Sequence, residues 1–280
     1  LDLHEARRHA AIYCELDLAH PSTSYYYRRL VRQLTLQLDE MKIPNRVYSG
    51  FHPAVGDVEP NRVTCRGFLH DLEMGRITGI IPVATNMFAE WALPAREAGI
   101  PIVGAGYGQG VDIRTDEPSM YRMVADYFKE HGRRRIAYFG WGTSEPFRHA
   151  MAAADLTTAD RWIHTAAHPA APGTGRRALE AIWSREPRPD ALFIGDEAIW
   201  QDFVVGAYRQ GLDMPQDLLL VLRTHATLPH LEAFPVARIE TDVDELAGAL
   251  AAAFVKRLEG RNLKRETTWI PFRWNLAFAD

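Results

Sequence analysis

Short apolar segments alternate with amphipathic segments along almost the whole chain, and this alternation limits the fold more than any other feature. Residues 136–139 and 191–194 are unbroken apolar segments, which is typical of strands covered on both faces of a sheet. The intervening segments place apolar residues three and four positions apart, as helices with one buried side do. Strands that alternate with helices predict parallel sheets joined by right-handed crossovers.

The stretch of residues 131–148 shows this pattern most clearly. Gly132 follows a strongly periodic segment, as expected for a left-handed residue that ends a helix. The apolar segment of residues 136–139 comes next, and two glycines then flank Trp141. Because ligands of open α/β sheets bind at the carboxyl ends of the strands, we expect a ligand-binding loop here. Arg148 would reach back over that loop from the next helix; an ordinary surface loop is the alternative.

Length and charge restrict the class of protein. A chain of 280 residues is typical of two lobes, each with its own core. The formal net charge of −4 argues against a large nucleic-acid-binding surface. Cys14 and Cys65 are too few for a disulfide framework, and no segment has the ~18 apolar residues of a membrane span. The polar start lacks a signal peptide and an initiator Met, so we expect part of a longer cytoplasmic protein.

Catalytic and metal-binding motifs are missing from the sequence. It contains no GxSxG, HExxH or CxxC pattern, and the glycine-rich residues 104–110 match no phosphate-binding motif. His164 and His168 have helical spacing, but Pro169 argues against a helix that could present them to a metal. We therefore expect no enzymatic activity, no cofactor and no metal.

Several short motifs, taken in order, resemble the effector-binding domain of the lactose/galactose repressor (LacI/GalR) family. Residues 131–137, HGRRRIA, resemble the family's GHRRIA signature, and residues 189–196, PDALFIGD, resemble its PDAIF..ND stretch. Residues 211–217, GLDMPQD, resemble its GLxVPxD motif. Residues 78–81 and 100–103 resemble its DGII and IPVV strands. The matches cover nearly the whole chain.

The resemblance implies a periplasmic-binding-protein type I-like α/β fold: two similar Rossmann-like lobes with parallel sheets and a ligand cleft between them. The implied N-terminal lobe comprises residues 1–115 plus 242–267, and the C-terminal lobe comprises residues 116–241 plus 268–280.

The resemblance also implies a function, that of the sensing domain of a homodimeric, cytoplasmic bacterial transcription regulator. A small sugar-like metabolite would control operator binding by a helix-turn-helix domain upstream of this chain. A periplasmic solute-binding receptor of a sugar transporter is the alternative, because it shares the fold.

One set of ligand contacts follows from the resemblance at the strand-end loop. Arg148 matches the arginine that contacts the effector in many family members, and Trp141 and Ser144 lie on the same loop. The alternative for Arg148 is a structural ion pair with Glu145 or Asp155.

Further contacts are implied near two other strands. Tyr26 and Tyr27 match the aromatic pair that follows the first strand, although Tyr27 also begins an apolar stripe and could be a core residue. Asp196 matches the acid after the Pro-Asp-Ala strand, and its alternative role is a helix N-cap.

The sequence departs from the family where acids usually bind sugar hydroxyls. The strand after GLxVPxD ends in Leu-Arg-Thr-His, and Gly106 replaces the acid that often follows the IPVV strand. A typical free pentose or hexose is therefore not favoured. Thr224, His225 and His168 become candidate contacts, and they suggest a ligand with a flat face or an anion paired with Arg148.

Overall fold

The chain folds into two compact units. The N-terminal unit comprises residues 1–115 and 242–270, and the C-terminal unit comprises residues 116–241 and 271–280. The computed structural model describes residues 8–20, 23–52, 63–85, 87–106, 111–166, 171–227, 233–260 and 267–279.

The helices and strands alternate as predicted. In chain order they are β1 (His9–Leu16), α1 (Tyr25–Glu40), β2 (Asn45–His52), α2 (Arg66–Glu73), β3 (Ile77–Val83), a 3-10 turn (Glu90–Ala92), α3 (Leu93–Glu97), β4 (Ile113–Thr115), α4 (Glu117–Glu130), β5 (Ile136–Trp141), α5 (Glu145–Ala153), a second 3-10 turn (Asp160–Trp162), β6 (Ile163–Ala166), α6 (Thr174–Trp183), β7 (Ala191–Ile194), α7 (Glu197–Gln210), β8 (Leu219–His225), β9 (Ala237–Thr241), α8 (Val243–Leu258), β10 (Thr268–Ile270) and β11 (Arg273–Asn275).

The sheet of the N-terminal unit has the order β2-β1-β3, and all its pairings are parallel. One face of this sheet packs against α1 and α8. The apolar stripe that Tyr27 begins continues along α1 with Leu30, Val31, Leu34 and Leu38, which are buried in this core. Met41 follows the end of the helix at Glu40 and is 41% exposed.

The last crossing of the chain differs slightly from the expected one. We placed it after residue 267, but Thr268–Ile270 pairs in parallel with Ile113–Thr115 of the N-terminal unit. The crossing therefore follows Ile270.

The sheet of the C-terminal unit has the order β11-β9-β8-β7-β5-β6. Its strands are parallel except for β11, which runs antiparallel to β9. Alternate residues of β5 face opposite sides: Ile136 and Tyr138 pack with α4 and α5, whereas Ala137 and Phe139 pack with α6 and α7. Helices on both faces explain why β5 and β7 have no charged residue.

One predicted element is wrong in extent in the N-terminal unit, the strand at residues 100–103. The segment before it forms the 3-10 turn and the short α3, which has Pro94 in its first turn. The strand expected at residues 100–103 contributes a single bridge, between Ile80 and Ile102. Pro101 has no N–H group, so it cannot extend a ladder there.

The C-terminal unit follows the prediction more closely. Gly132 and Gly211 end α4 and α7 with φ angles of 71° and 63°, as predicted for left-handed residues. β6 begins only at Ile163, because Asp160–Trp162 forms a 3-10 turn. No helix within the described ranges is long and apolar enough to cross a membrane.

Candidate functional site

Polar side chains gather where β5, β7, β8 and β9 of the C-terminal unit end. These strands are parallel, so their carboxyl ends lie at one edge of the sheet, the edge at which such folds bind ligands. We call this group the carboxyl-edge cluster. Its members are Glu117, Tyr121, Tyr138, Asp196, Glu197, Arg223, His225 and Thr241.

An ion pair between Arg223 and Glu117 anchors the cluster. Arg223 Nη1 lies 2.8 Å from Glu117 Oε1, and the two side chains are only 14% and 19% exposed. The guanidinium also lies 5.3 Å from the ring centroid of Phe272. The pair therefore connects the end of β8 to the first turn of α4.

Tyr138 lies across the strand ends. Its ring stacks on Phe147 at 4.8 Å, and Tyr121 donates a hydrogen bond to its hydroxyl. A Cβ on Gly140 would stand 2.1 Å from that hydroxyl, and one on Gly195 would stand 3.3 Å from it. Both glycines thus leave room for the ring. Burial raises the pKa of Tyr138, so the hydroxyl stays neutral and can donate or accept.

His225 ends β8 beside β9 and α7. Its Nδ1 lies 2.8 Å from Thr241 Oγ1, and its Nε2 lies 3.9 Å from Glu197 Oε2. The side chain is 16% exposed. The predicted position of His225 at the strand end is therefore confirmed, and a carboxylate lies close to its second nitrogen.

Asp196 and Thr224 are both buried. Asp196 is 6% exposed and caps α7, with Oδ1 accepting from the backbone N–H of Ala198 at 2.8 Å. Its alternative role as an N-cap is thus observed. Thr224 is fully buried, and its role as a ligand contact stays a prediction.

Arg148 lies near the predicted loop but is paired differently. Its Nη2 lies 2.9 Å from Asp160 Oδ1, and its Nε donates to Ser144 Oγ at 3.3 Å. The proposed partners Glu145 and Asp155 were therefore wrong, since a turn after α5 brings Asp160 closer. Asp160 is 97% exposed, so this surface pair contributes little to stability.

Trp141 and Ser144 do not share one loop as expected. Trp141 is the last residue of β5 and pairs with Ala166 of β6, whereas Ser144 immediately precedes α5. Both side chains are half-buried. His168 lies outside the described residues.

Tyr26 and Tyr27 lie in the first turn of α1, in the N-terminal unit. Their ring centroids are 5.0 Å apart in an edge-to-face arrangement, and both are half-buried against the core of that unit. The partly core-like role considered for Tyr27 thus applies to both tyrosines.

A buried acid in the N-terminal unit escaped the sequence analysis. Glu15, near the end of β1, is fully buried. It accepts hydrogen bonds from the Tyr13 hydroxyl and from the backbone N–H and hydroxyl of Thr64, the former at 2.8 Å. His52 Nε2 lies 3.7 Å from its carboxylate. Glu15 is the single acidic residue of β1, and this feature of the sequence could have identified it.

Arg223 and Glu117 also escaped the sequence analysis, although the sequence context of each residue is informative. Arg223 interrupts the apolar residues of β8, and an isolated cation in a covered strand calls for a buried partner. Glu117 follows the N-cap Asp116 and reads as an ordinary acid of a first helical turn. Only the tertiary fold brings the two together.

The cluster offers groups for hydrogen bonding to a ligand. Within the described ranges, no group of three or more His, Cys, Asp or Glu side chains could hold a metal ion. His225 offers ring nitrogens and Glu197 offers carboxylate oxygens for hydrogen bonding. Such groups orient a small polar ligand at a largely apolar strand edge.

Known proteins share this architecture. Residues 125–276, more than half of the chain, match the family model described as periplasmic binding protein-like domain. The HTH-type transcriptional repressor PurR of Klebsiella pneumoniae (strain 342) is 26% identical over 171 residues, covering 56% of this chain and 49% of that protein. The chain thus spans about half the length of the curated relatives it matches.

Solved structures of regulators superpose over nearly the whole chain. A regulatory protein of the LacI family from Chloroflexus aggregans has a TM-score of 0.79 at 14% identity, covering 97% of this chain and 98% of that one. The transcriptional regulator CelR, in complex with cellobiose, has a TM-score of 0.76 at 17% identity, covering 98% and 86%. At these identities the likeness shows the fold. The family match means that the chain belongs to the periplasmic binding protein-like domain family, whose fold it shares with these regulators.

Proposed function

We propose that this domain senses a small metabolite in the cytoplasm of a bacterium and controls operator binding by a helix-turn-helix domain of the complete protein. The observation that carries the proposal is the carboxyl-edge cluster, which lies at the strand ends of a fold shared with transcription regulators. The repressor names of the curated relatives support regulation rather than solute transport, the alternative for this fold.

The charges of the cluster favour a ligand without a strong negative charge. Arg223 is paired with Glu117, and Arg148 is paired with Asp160. An anionic ligand would have to compete with these carboxylates for the guanidinium groups. Glu197 lies near the remaining candidate donor, His225. We therefore propose a neutral, sugar-like or nucleoside-like metabolite whose hydroxyl groups bond to His225 and Glu197.

Aromatic side chains would supply the apolar part of recognition. Trp141 ends β5 at the same edge as the cluster, and its half-buried indole could lie against a flat ligand face. Tyr26 and Tyr27 remain candidates for stacking in the N-terminal unit.

A thermal-shift screen of the 280-residue chain against neutral sugars, nucleosides and their phosphorylated forms tests this proposal. A ligand that binds the folded state raises the melting temperature by mass action. Calorimetric titration of the hits then compares wild type with His225→Ala, and His149→Ala on the exposed part of α5 serves as the matched control. We expect about tenfold weaker binding in His225→Ala alone. Hits confined to phosphorylated compounds, or equal affinity in both variants, would contradict the proposed site.

We also propose that the regulator is a homodimer, because reading a two-fold operator calls for a two-fold protein. Val205 and Tyr208 are 46% and 63% exposed on α7, and Tyr208 packs on Phe234 at 4.8 Å. A second copy of the chain could cover this apolar surface. Light scattering should give a dimer mass for wild type and a lower mass for Tyr208→Asp. A wild-type monomer at high micromolar concentration would argue against the dimer.

A further inference from the structure

The N-terminal unit contains a cavity of about 480 Å³ that the proposed effector site does not use. Its volume lies within the range of small-molecule pockets, roughly 300–1,000 Å³. The side chains that define it are Met87, Phe88, Arg96, Ile100, Ile102 and Arg257. Two of these carry a positive charge, and none of the described lining residues is acidic.

The apolar wall is formed by residues 100–102, which run along the outer side of β3. Ile80 N–H donates to the Pro101 carbonyl at 2.9 Å, and Val103 N–H donates to the Ile80 carbonyl at 3.0 Å. In this parallel bridge, the backbone groups of Ile102 point away from β3. The segment is an edge, and its two isoleucines remain half-buried.

Arg96 forms part of the rim. Its Nη2 donates to the Met87 carbonyl, and its guanidinium carbon lies 5.4 Å from the ring centroid of Phe88. These contacts hold the guanidinium plane against an aromatic face and use one of its N–H groups. The side chain is exposed, so a ligand oxygen can reach its guanidinium fork.

Arg257, from α8, supplies the second cation. Its Nη2 lies 2.9 Å from Asp112 Oδ1, and the side chain is 25% exposed. Its Nε is buried and has no hydrogen-bond acceptor within the part of the chain that the structure describes. A buried donor without an acceptor is costly, so an additional oxygen near this guanidinium would be favourable.

We propose that this cavity binds a small amphipathic carboxylate. The carboxylate would accept hydrogen bonds from N–H groups of Arg257 and Arg96. An aromatic or branched aliphatic body would lie against Ile100 and Ile102. Asp112 neutralises only one of the two guanidinium charges, so a monoanion restores the local charge balance. The site lies in a different unit from the carboxyl-edge cluster and is independent of the effector proposed there.

Titration with 4-phenylbutyrate and with its neutral amide, 4-phenylbutanamide, tests the proposal directly. The two probes share a body and differ in charge, so the ratio of their affinities measures recognition of the carboxylate. Calorimetry or ligand-observed NMR should show that wild type binds the acid at least about tenfold more tightly than the amide. Equal binding of both probes, or no binding up to about 10 mM, would overturn the proposal.

Variants test whether the probes bind in this cavity. Arg257→Gln should reduce the acid-to-amide ratio to about one, and Arg96→Gln should reduce it partly. Ile102→Trp should fill the cavity and abolish binding of both probes. Arg122→Gln, at an exposed position of α4, should leave the ratio unchanged, as should His225→Ala.

Two outcomes of the variant series would overturn the proposal. One is an unchanged ratio in Arg96→Gln together with undiminished binding of both probes to Ile102→Trp, two variants that decide the question if Arg257→Gln does not fold. The other is loss of probe binding on dimerisation, observed as a decrease at high protein concentration. That result would assign the cavity to an interface between copies of the chain.

Discussion

The guanidinium of Arg223 lies 2.8 Å from the carboxylate of Glu117, and this pair joins the end of β8 to the start of α4. Each side chain is more than four-fifths buried, and Phe272 covers the guanidinium. The two side chains stabilise the fold only when both are present, because either one alone would be a buried, uncompensated charge.

Glu117→Gln should therefore lower the free energy of unfolding by about 2 kcal/mol or more. Glu117→Gln combined with Arg223→Met should cost less than the sum of the single changes, because the double variant leaves no buried charge. Urea denaturation of the four proteins measures the coupling. Additive effects would show that the two side chains act independently.

The buried tyrosines predict a loss of stability at alkaline pH. Burial is the main cause that raises the pKa of Tyr13 and Tyr138 above the ordinary value of 10.0. Above pH 10 the unfolded chain releases protons that the folded state keeps, so the free energy of unfolding falls as pH rises. Each such tyrosine contributes a slope of about 1.4 kcal/mol per pH unit.

Denaturation at several pH values between about 9 and 12 measures this slope. Tyr138→Phe should make it shallower, whereas Tyr25→Phe, at a 45% exposed position, should leave it unchanged. An identical slope in wild type and Tyr138→Phe would mean that this hydroxyl does not titrate with a raised pKa.

Gly140→Ala should destabilise the C-terminal unit by about 1–3 kcal/mol. The new methyl group would stand 2.1 Å from the Tyr138 hydroxyl, and Phe147 stacks against that ring and restricts its retreat. Gly248→Ala is the matched control: a Cβ there meets nothing within 4 Å, and the residue lies inside α8. It should be neutral or slightly stabilising. Equal melting temperatures for the two variants would contradict the packing described for Tyr138.

Sequence patterns predicted the strands and helices well where packing on two faces decides them. β5, β7 and α1 are examples, because their apolar periodicity records which faces are covered. The segment at residues 100–103 looked similar, but Pro101 limits it to one bridge. Apolar composition alone does not show that a proline, which lacks an N–H group, limits the hydrogen-bonded ladder.

The candidate site was predicted only in part, because pairing between distant residues leaves no local pattern. His225 could be placed at a strand end from its motif. Its neighbours Glu197 and Thr241 lie on other elements and were not predicted. The predicted ion-pair partners of Arg148 were wrong for the same reason, because Asp160, which pairs with it, lies in a turn beyond the end of α5.

Arg148 and Asp160 offer a test of the ligand contacts that the resemblance implied. If Arg148 binds the effector, Asp160→Asn should release its guanidinium and strengthen binding severalfold, whereas Arg148→Lys should weaken it by about tenfold or more. Neither change should alter the melting temperature much, because the pair is exposed. Calorimetric titration measures both affinities. Wild-type affinity in both variants would remove Arg148 from the site.

The central claim is that a small molecule bound by this domain controls DNA binding, and the affinity of the complete protein for its operator tests it most directly. Measured at fixed salt with and without a metabolite from the screen, that affinity should change at least about fivefold. The metabolite's own affinity should change by the same factor when operator is present, since coupling between two sites is reciprocal. His225→Ala should remove the response at the wild-type concentration of metabolite. A metabolite that binds tightly yet leaves operator affinity unchanged would contradict the account.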